Sequence, residues 1–162
     1  MSVETGFKIP SITVHSSDLG QVSQVDMASY CSGRKVIIFA LPGAFTATCS
    51  AKHLPGFVAH YDDFKELGVD AIACLSVNDP FVMSAWGEIH GADGKVDMLG
   101  DSQAEMTKAL GMDVDMGPLL GVRCGRCAFI VEDGVVTASF IEEPRAYEVS
   151  SAENLLAHLK SA

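Results

Sequence analysis

The five cysteines are the residues of this chain with the clearest capacity for chemistry. They occupy positions 31, 49, 74, 124 and 127, an odd number with irregular gaps. This distribution is unlike the even disulfide framework of a small secreted domain. In a reducing compartment such thiols are more often buried, catalytic or metal-binding than paired. The sequence therefore predicts free thiols, any of which could supply a thiolate nucleophile.

Cys49 has the local sequence expected of a reactive thiol. It ends the segment 42–49 (PGAFTATC), so it follows a Pro-Gly bend and stands at the predicted start of a helix. Thr46 or Thr48 can cap that helix, and the free backbone N–H groups of its first turn point towards the sulfur. Such surroundings lower the pKa of a thiol and favour the thiolate. The competing interpretation, a small buried apolar residue, is less consistent with the bend, the threonines and the helix start.

Two predicted elements position Cys49. Residues 35–41 (KVIIFAL) are an unbroken apolar run that ends at Pro-Gly, which is typical of a strand buried on both faces. Residues 50–67 carry apolar side chains at spacings of three and four and are followed by Gly68, as in an amphipathic helix. Pro55 predicts a kink or irregular turn within it. Cys49 thus lies where a strand passes into a helix, which is where reactive groups collect in open α/β sheets.

The rest of the chain alternates between strand and helix patterns. Further strands are predicted at 69–77, 97–99, 128–131 and 135–141, with helices at 81–89 and 103–110 and a closing helix opened by the capping box 150–153 (SSAE). Asp133-Gly134 predicts a hairpin turn between the last two strands. The pattern favours an α/β protein with a mixed central sheet and helices on both faces. It resembles the thioredoxin-like fold, and we expect residues 1–162 to form one domain.

Composition limits the partners. The 162 residues carry a net charge of −10, which repels phosphate backbones and anionic lipid, so we expect neither nucleic acid nor membrane surfaces as partners. The longest nearly unbroken apolar run, 36–45, is far shorter than the ~20 residues of a membrane span. Residues 1–7 (MSVETGF) show no targeting pattern, and on that ground we predict a cytoplasmic location.

Residues 42–49 resemble the P-x-x-x-T-x-x-C signature of the peroxiredoxins. The longer segment 42–57 (PGAFTATCSAKHLPGF) is similar to the type II branch, also called the atypical two-cysteine or fifth class. The resemblance continues through three further segments in the same order, 74–86 (CLSVNDPFVMSAW), 107–111 (TKALG) and 126–136 (RCAFIVEDGVV). Four separated segments spanning nearly the whole chain make coincidence an unsatisfactory explanation.

The resemblance implies a set of active-site residues around Cys49. It makes Cys49 the peroxidatic cysteine, which attacks a peroxide and becomes a sulfenic acid. Thr46 would donate its hydroxyl, and Pro42 would shield the sulfur. Arg126 matches the family's active-site arginine, whose fork of donors suits thiolate and peroxide oxygens. Arg123, three residues earlier, is the competing arginine, and either could instead be a solvated surface charge.

The resemblance also implies a reaction and partners. The activity would be thiol-dependent reduction of hydrogen peroxide and alkyl hydroperoxides, with no cofactor and no metal. Glutathione with glutaredoxin, or thioredoxin, would be the reductant, and the protein would be a homodimer. Phe45, Phe81 and Trp86 would form an apolar rim of the substrate pocket.

Cys74 is the candidate for a second, resolving cysteine. Plant members of the type II branch carry one at this place. Because Cys74 lies inside a predicted buried strand, it could meet a helix-start sulfur only if the helix opening unwinds. We therefore expect an external thiol to attack the oxidised Cys49, with Cys74 at most a secondary resolving residue.

Other residues support alternative interpretations. Cys124 and Cys127 form a C-x-x-C pair, which could make the protein a dithiol-disulfide oxidoreductase or a redox sensor; zinc is disfavoured because no second pair completes a site. In a continuous strand Cys124 would share a face with the arginine at 126, and Cys127 would point away. His53 and His60 are expected to be solvated or capping. Cys31 has no assignable role.

Overall fold

A mixed β-sheet with helices on both faces forms the centre of the protein. The computed structural model describes residues 3–161, with the backbone but not the side chain of Cys49. In chain order its elements are β1 (Thr13–Asp18), β2 (Gln21–Asp26), α1 (Met27–Cys31), β3 (Lys35–Ala40), a π-helical turn (Cys49–His53), α2 (Leu54–Ala59), α3 (Tyr61–Glu66), β4 (Ala71–Ser76), α4 (Pro80–Ile89), β5 (Asp97–Gly100), α5 (Glu105–Ala109), β6 (Asp113–Asp115), α6 (Gly117–Leu120), β7 (Val122–Cys124), β8 (Cys127–Glu132), β9 (Val135–Ile141) and α7 (Ala152–Ser161).

Seven strands form the main sheet in the order β2-β1-β5-β4-β3-β8-β9. The strand β3 lies near the middle, parallel to β4 and antiparallel to β8. The β4–β5 pair is also parallel, because helical crossovers join β3 to β4 and β4 to β5. The predicted mixed sheet of thioredoxin-like type is confirmed. No helix within residues 3–161 is long and apolar enough to span a membrane.

Alternate side chains of β3 enter two separate hydrophobic cores, as expected of a strand covered on both sides. Phe39 packs in the core beneath α2, α3, α4 and α7, and Ile38 packs in the core beneath α1 and α5. Every residue from 36 to 40 is buried. Because both faces of β3 are buried, its sequence is apolar at consecutive positions. The strand is also a rigid support for the loop that leads to Cys49.

The predicted helix 50–67 is divided into three pieces. A π-helical turn precedes α2, and a break at His60 separates α2 from α3. Pro55 occupies the first turn of α2, where its missing N–H group is tolerated. The preceding turn takes the π form, so the helix is irregular where it approaches the proline. The predicted irregularity is confirmed.

The hairpin between β8 and β9 also follows the sequence. Asp133 and Gly134 both have positive φ angles, +48° and +78°, as a type I′ turn requires. The N-terminal hairpin of β1 and β2, and the small sheet of β6 and β7, were not predicted. The strands β2 and β6 are mostly exposed and polar, so they lack the apolar alternation that marks a half-buried strand.

Candidate active site

The loop after β3 is held by the loop after β4. The side chain of Asn78 accepts a hydrogen bond from the backbone N–H of Ala44 at 3.0 Å, and another from the Ser76 hydroxyl at 2.7 Å. Phe45 has a φ of +65°, a left-handed conformation that costs a non-glycine residue roughly 1–2 kcal/mol. Backbone strain of this kind persists where surrounding contacts dictate the conformation, and it concentrates at functional sites.

Thr46 connects this loop to the helical turn that carries Cys49. Its hydroxyl donates to the carbonyl of Gly43 at 2.7 Å, and its own carbonyl accepts from the N–H of Ser50 at 3.0 Å. Because the O–H is used in this bond, Thr46 can offer a ligand only the lone pairs of an oxygen that is fixed in position, and not the donated hydroxyl that the sequence predicted. Pro42, at the start of the loop, is half-buried.

Arg126 extends from the start of β8 to the same helical turn. Its Nη1 donates to Nδ1 of His53 at 2.9 Å. Because His53 belongs to the π-helical turn that begins at Cys49, this bond fixes the guanidinium against the turn that carries the predicted nucleophile. The backbone carbonyl of Arg126 accepts from the N–H of Glu142 at 3.1 Å, so the residue is held at both ends.

The prediction for His53 is wrong: its side chain is fully buried, neither solvated nor a helix cap. His53 lies four residues before Phe57 on the apolar side of the helix, and both rings pack against Phe39. That spacing was the available signal in the sequence. His60, by contrast, lies at the surface, with its Nδ1 3.0 Å from a carboxylate oxygen of Asp63, as predicted.

Burial of His53, and after it the nearby charge of Arg126, lowers the pKa of the imidazole to about 3 from an ordinary 6.5. In the unfolded chain the ring takes up a proton as the pH falls through 6.5, whereas the folded protein keeps it neutral. The stability that His53 contributes is thus complete above pH 6.5 and is lost as the pH falls towards 3.

We expect the His53→Asn variant to lose less stability on acidification than the wild type. Between pH 6.5 and pH 5 the difference in slope should approach about 1.4 kcal/mol per pH unit, because one fewer proton is taken up on unfolding. Urea unfolding at several pH values measures it. Glu142, whose pKa is also lowered, is present in both proteins and cancels in the comparison. Parallel stability curves would contradict the assignment of a neutral buried His53.

Arg123, in β7, also contacts the loop after β3. Its Nη1 donates to the carbonyl of Pro42 at 3.1 Å, and its Nε donates to the carbonyl of Leu120 at 2.8 Å. A Cβ atom at Gly43 would lie 2.5 Å from Nη1, so a side chain there would displace the guanidinium. Arg123 therefore holds the loop in place through hydrogen bonds to two backbone carbonyls. Neither Arg123 nor Arg126 is a free surface charge.

The remaining cysteines are fully buried, and they divide between the two cores. Cys74 pairs in register with Phe39 and lies in the core beneath α2, whereas Cys31, Cys124 and Cys127 lie in the other core. The expectation that Cys127 points away from Cys124 is wrong, because Gly125 and Arg126 interrupt the strand and bring both thiols into one core. Burial and the neighbouring Cys124 thiol raise the pKa of Cys127, which disfavours a reactive dithiol.

Two of the three residues predicted to form an apolar rim are exposed, and the third, Trp86, is buried. Phe45 and Phe81 are 54% and 56% exposed, on the loop after β3 and at the start of α4. Trp86 is fully buried, and its indole N–H donates to the hydroxyl of Ser50 at 3.0 Å. It therefore supports the turn after Cys49 from beneath.

Comparisons with known proteins agree with the fold. The redoxin family model matches residues 4–156. The chain is 46% identical over 161 residues to "Peroxiredoxin-2E-2, chloroplastic" of Oryza sativa subsp. japonica, covering 96% of this chain and 72% of that protein. It is 44% identical over 160 residues to "Peroxiredoxin-2E, chloroplastic" of Arabidopsis thaliana, covering 96% and 68% respectively.

Solved structures give the same result. Reduced Prx3 of Vibrio vulnificus in complex with hydrogen peroxide superposes with a TM-score of 0.94 at 43% identity, covering 97% of this chain and 99% of that one. Peroxiredoxin 5 of Alvinella pompejana superposes with a TM-score of 0.86 at 32% identity, covering 99% of both chains.

These matches define the chain as a redoxin with the thioredoxin-like fold. Within that class it belongs to the type II peroxiredoxins, as the sequence motifs indicated. It is therefore a thiol-dependent peroxidase, an antioxidant enzyme that reduces peroxides with electrons from thiols.

The predicted cytoplasmic location is wrong by this comparison, since the two plant relatives are named as chloroplastic proteins. The prediction rested on the absence of a targeting pattern in residues 1–7. Because targeting segments are removed from mature proteins, such an absence does not define a compartment.

Proposed function

We propose that Cys49 is the peroxidatic cysteine and that Arg126, Thr46 and Pro42 complete its active site. The hydrogen bond from Arg126 to His53 carries this proposal, because it holds a guanidinium against the turn that begins at Cys49. The bond from Thr46 to Gly43 supports it further, since it orders the backbone that enters the turn.

The Cys49 thiolate attacks the terminal oxygen of the peroxide, and the O–O bond breaks. The sulfur becomes a sulfenic acid, and the leaving hydroxide or alkoxide takes up a proton as water or alcohol. Arg126 stabilises the thiolate and the negative charge that develops on the peroxide oxygens. The Thr46 hydroxyl orients the peroxide, and Pro42 shields the sulfur from water.

Hydrogen peroxide and alkyl hydroperoxides are the proposed substrates. The structure of the Vibrio vulnificus relative is described as a complex with hydrogen peroxide, which supports the first. The exposed rings of Phe45 and Phe81 support the second, because apolar side chains beside the loop favour the alkyl group of an organic hydroperoxide.

We further propose that glutathione with glutaredoxin, or thioredoxin, reduces the Cys49 sulfenic acid directly. The external thiolate attacks the sulfenic sulfur, which releases water and leaves a mixed disulfide, and a second thiolate then frees Cys49. Cys74 is a poor competitor for this step because it is fully buried within β4. A disulfide from Cys49 to Cys74 would require the helical turn to unwind.

The Cys74→Ala variant is expected to keep most of its turnover with glutathione and glutaredoxin. Mass spectrometry after one equivalent of peroxide should then find a glutathione adduct on Cys49 in both proteins. Loss of turnover to near zero in a folded variant, together with a Cys49–Cys74 disulfide in the wild type, would instead make Cys74 an obligatory partner.

We also propose a homodimer formed through apolar side chains around the active-site loop. Phe45 and Phe81 are more than half exposed, and Leu119 on α6 is 88% exposed. Asn78, just before α4, is hydrogen-bonded to the loop after β3, and Arg123 is hydrogen-bonded to both this loop and the end of α6. Phe45, Phe81 and Leu119 therefore lie around one loop. Exposed apolar groups that cluster in this way mark interaction surfaces. Sedimentation velocity distinguishes a dimer from a monomer.

A further inference from the structure

We propose that His53 is a positioning residue for Arg126, acting as a hydrogen-bond acceptor that is itself fixed by the segment between β9 and α7. The inference rests on the proposed role of Arg126 at Cys49 and extends it to the residues that set the position of the guanidinium.

Two hydrogen bonds determine the state of the imidazole. Nδ1 of His53 lies 2.9 Å from Nη1 of Arg126, and Nε2 lies 3.1 Å from the carbonyl oxygen of Ser150. A guanidinium nitrogen only donates and a carbonyl oxygen only accepts. The ring must therefore be neutral, with its proton on Nε2 and its acceptor at Nδ1.

Glu142 fixes Ser150, whose backbone carbonyl is the hydrogen-bond partner of Nε2. The Glu142 carboxylate accepts from the backbone N–H of Ser150 at 2.9 Å, from the Ser150 hydroxyl at 2.7 Å and from the N–H of Glu148 at 2.7 Å. The backbone N–H of Glu142 donates to the carbonyl of Arg126 at 3.1 Å. Arg126, His53, Ser150 and Glu142 thus form a closed ring of hydrogen bonds.

Aromatic side chains surround the imidazole and exclude water from it. The ring centroids of Phe39, Tyr147 and Phe57 lie 5.0, 5.4 and 5.7 Å from that of His53. The charged and titratable groups that face it are Arg126, Glu142 and Tyr147. A buried ring with both nitrogens bonded has one orientation, so it presents one acceptor to the guanidinium.

The chain offers a matched pair of substitutions at this position. Asparagine places an amide oxygen near the position of Nδ1 and keeps an acceptor for Arg126. Glutamine places its amide nitrogen near the position of Nε2, which keeps the donor to Ser150 but removes the acceptor. His60→Gln, on the surface at the end of α2, is the control for loss of a histidine elsewhere.

The test combines these variants with Arg126→Met in a double-mutant cycle. The readouts are the second-order rate constant for hydrogen peroxide and the pH profile of Cys49 alkylation by iodoacetamide, which involves no peroxide. We expect His53→Gln to lower the rate constant by ~10-fold or more, and His53→Asn to stay within ~3-fold of the wild type. In the Arg126→Met background, His53→Gln should cause no further loss, since the two residues act as a unit.

The outcomes separate this inference from the proposed role of Arg126. If Arg126→Met leaves the rate constant unchanged, the role of Arg126 fails. The inference about His53 fails in two cases, both with a lower rate constant in Arg126→Met. In the first, His53→Gln has no effect on the rate constant. In the second, His53→Gln lowers the rate constant by the same factor with and without Arg126.

Nitrogen NMR of the His53 ring gives a test that does not depend on folding of the glutamine variant. In the wild type Nε2 should be protonated and Nδ1 unprotonated from pH 5 to 8, and the Nδ1 resonance should shift in Arg126→Met. A proton on Nδ1, or no shift, would overturn the proposal.

Discussion

Replacing Cys49 with serine is expected to abolish peroxide turnover while leaving the fold intact. Serine has nearly the same size and can make the same backbone contacts at a helix start. Its hydroxyl does not ionise near neutral pH, and it cannot pass through a sulfenic acid. Peroxide consumption with excess glutathione and glutaredoxin measures the effect, and circular dichroism verifies the fold.

The control is Cys31→Ala, since Cys31 is fully buried in the core on the opposite face of the sheet. This variant is expected to keep its turnover, with a modest loss of stability from the vacated volume. Consumption by Cys49→Ser above a few per cent of the wild type would require another thiol to be the nucleophile. Cys74, in the core beneath α2, would be the first to test.

Replacing Arg126 with lysine is expected to lower kcat/KM for hydrogen peroxide by ~10–100-fold, the effect of losing a positioned donor. Lysine keeps the positive charge but loses the planar fork. The guanidinium donates to His53 through Nη1, and its planar fork fixes the direction in which its other N–H groups point. A single ammonium group lacks this planar geometry. Stopped-flow measurement of the reduced enzyme with peroxide isolates this step from reduction by thiols.

Arg123→Lys is the matched control, and it should have a much smaller effect. Its guanidinium donates to the backbone carbonyls of Leu120 and Pro42, so it orders the loop and does not act on the peroxide. A larger loss in Arg123→Lys than in Arg126→Lys would reverse our assignment of the two arginines.

Local sequence patterns were sufficient to predict the strand and the helix that position Cys49. The apolar run of β3, the proline and glycine after it and the periodic apolar side chains of the following helix depend on residues close in sequence, so they can be read locally. The same holds for the hairpin at Asp133-Gly134, where both residues tolerate positive φ. The motif 42–49 and its companion segments then indicated the family.

Relations between distant segments were decided by the tertiary structure alone. The hydrogen-bond partners of His53 are Arg126 and Ser150, 73 and 97 residues away, and no local periodicity records such partners. The shared core of Cys124 and Cys127 depends on an interruption of the strand that a two-residue alternation does not predict. The sequence by itself pointed to Cys49 as the candidate nucleophile. Only the packing of the C-terminal segment against the helix determined how Arg126 is held against the turn that begins at Cys49, because a hydrogen bond between elements forms only once both are in place.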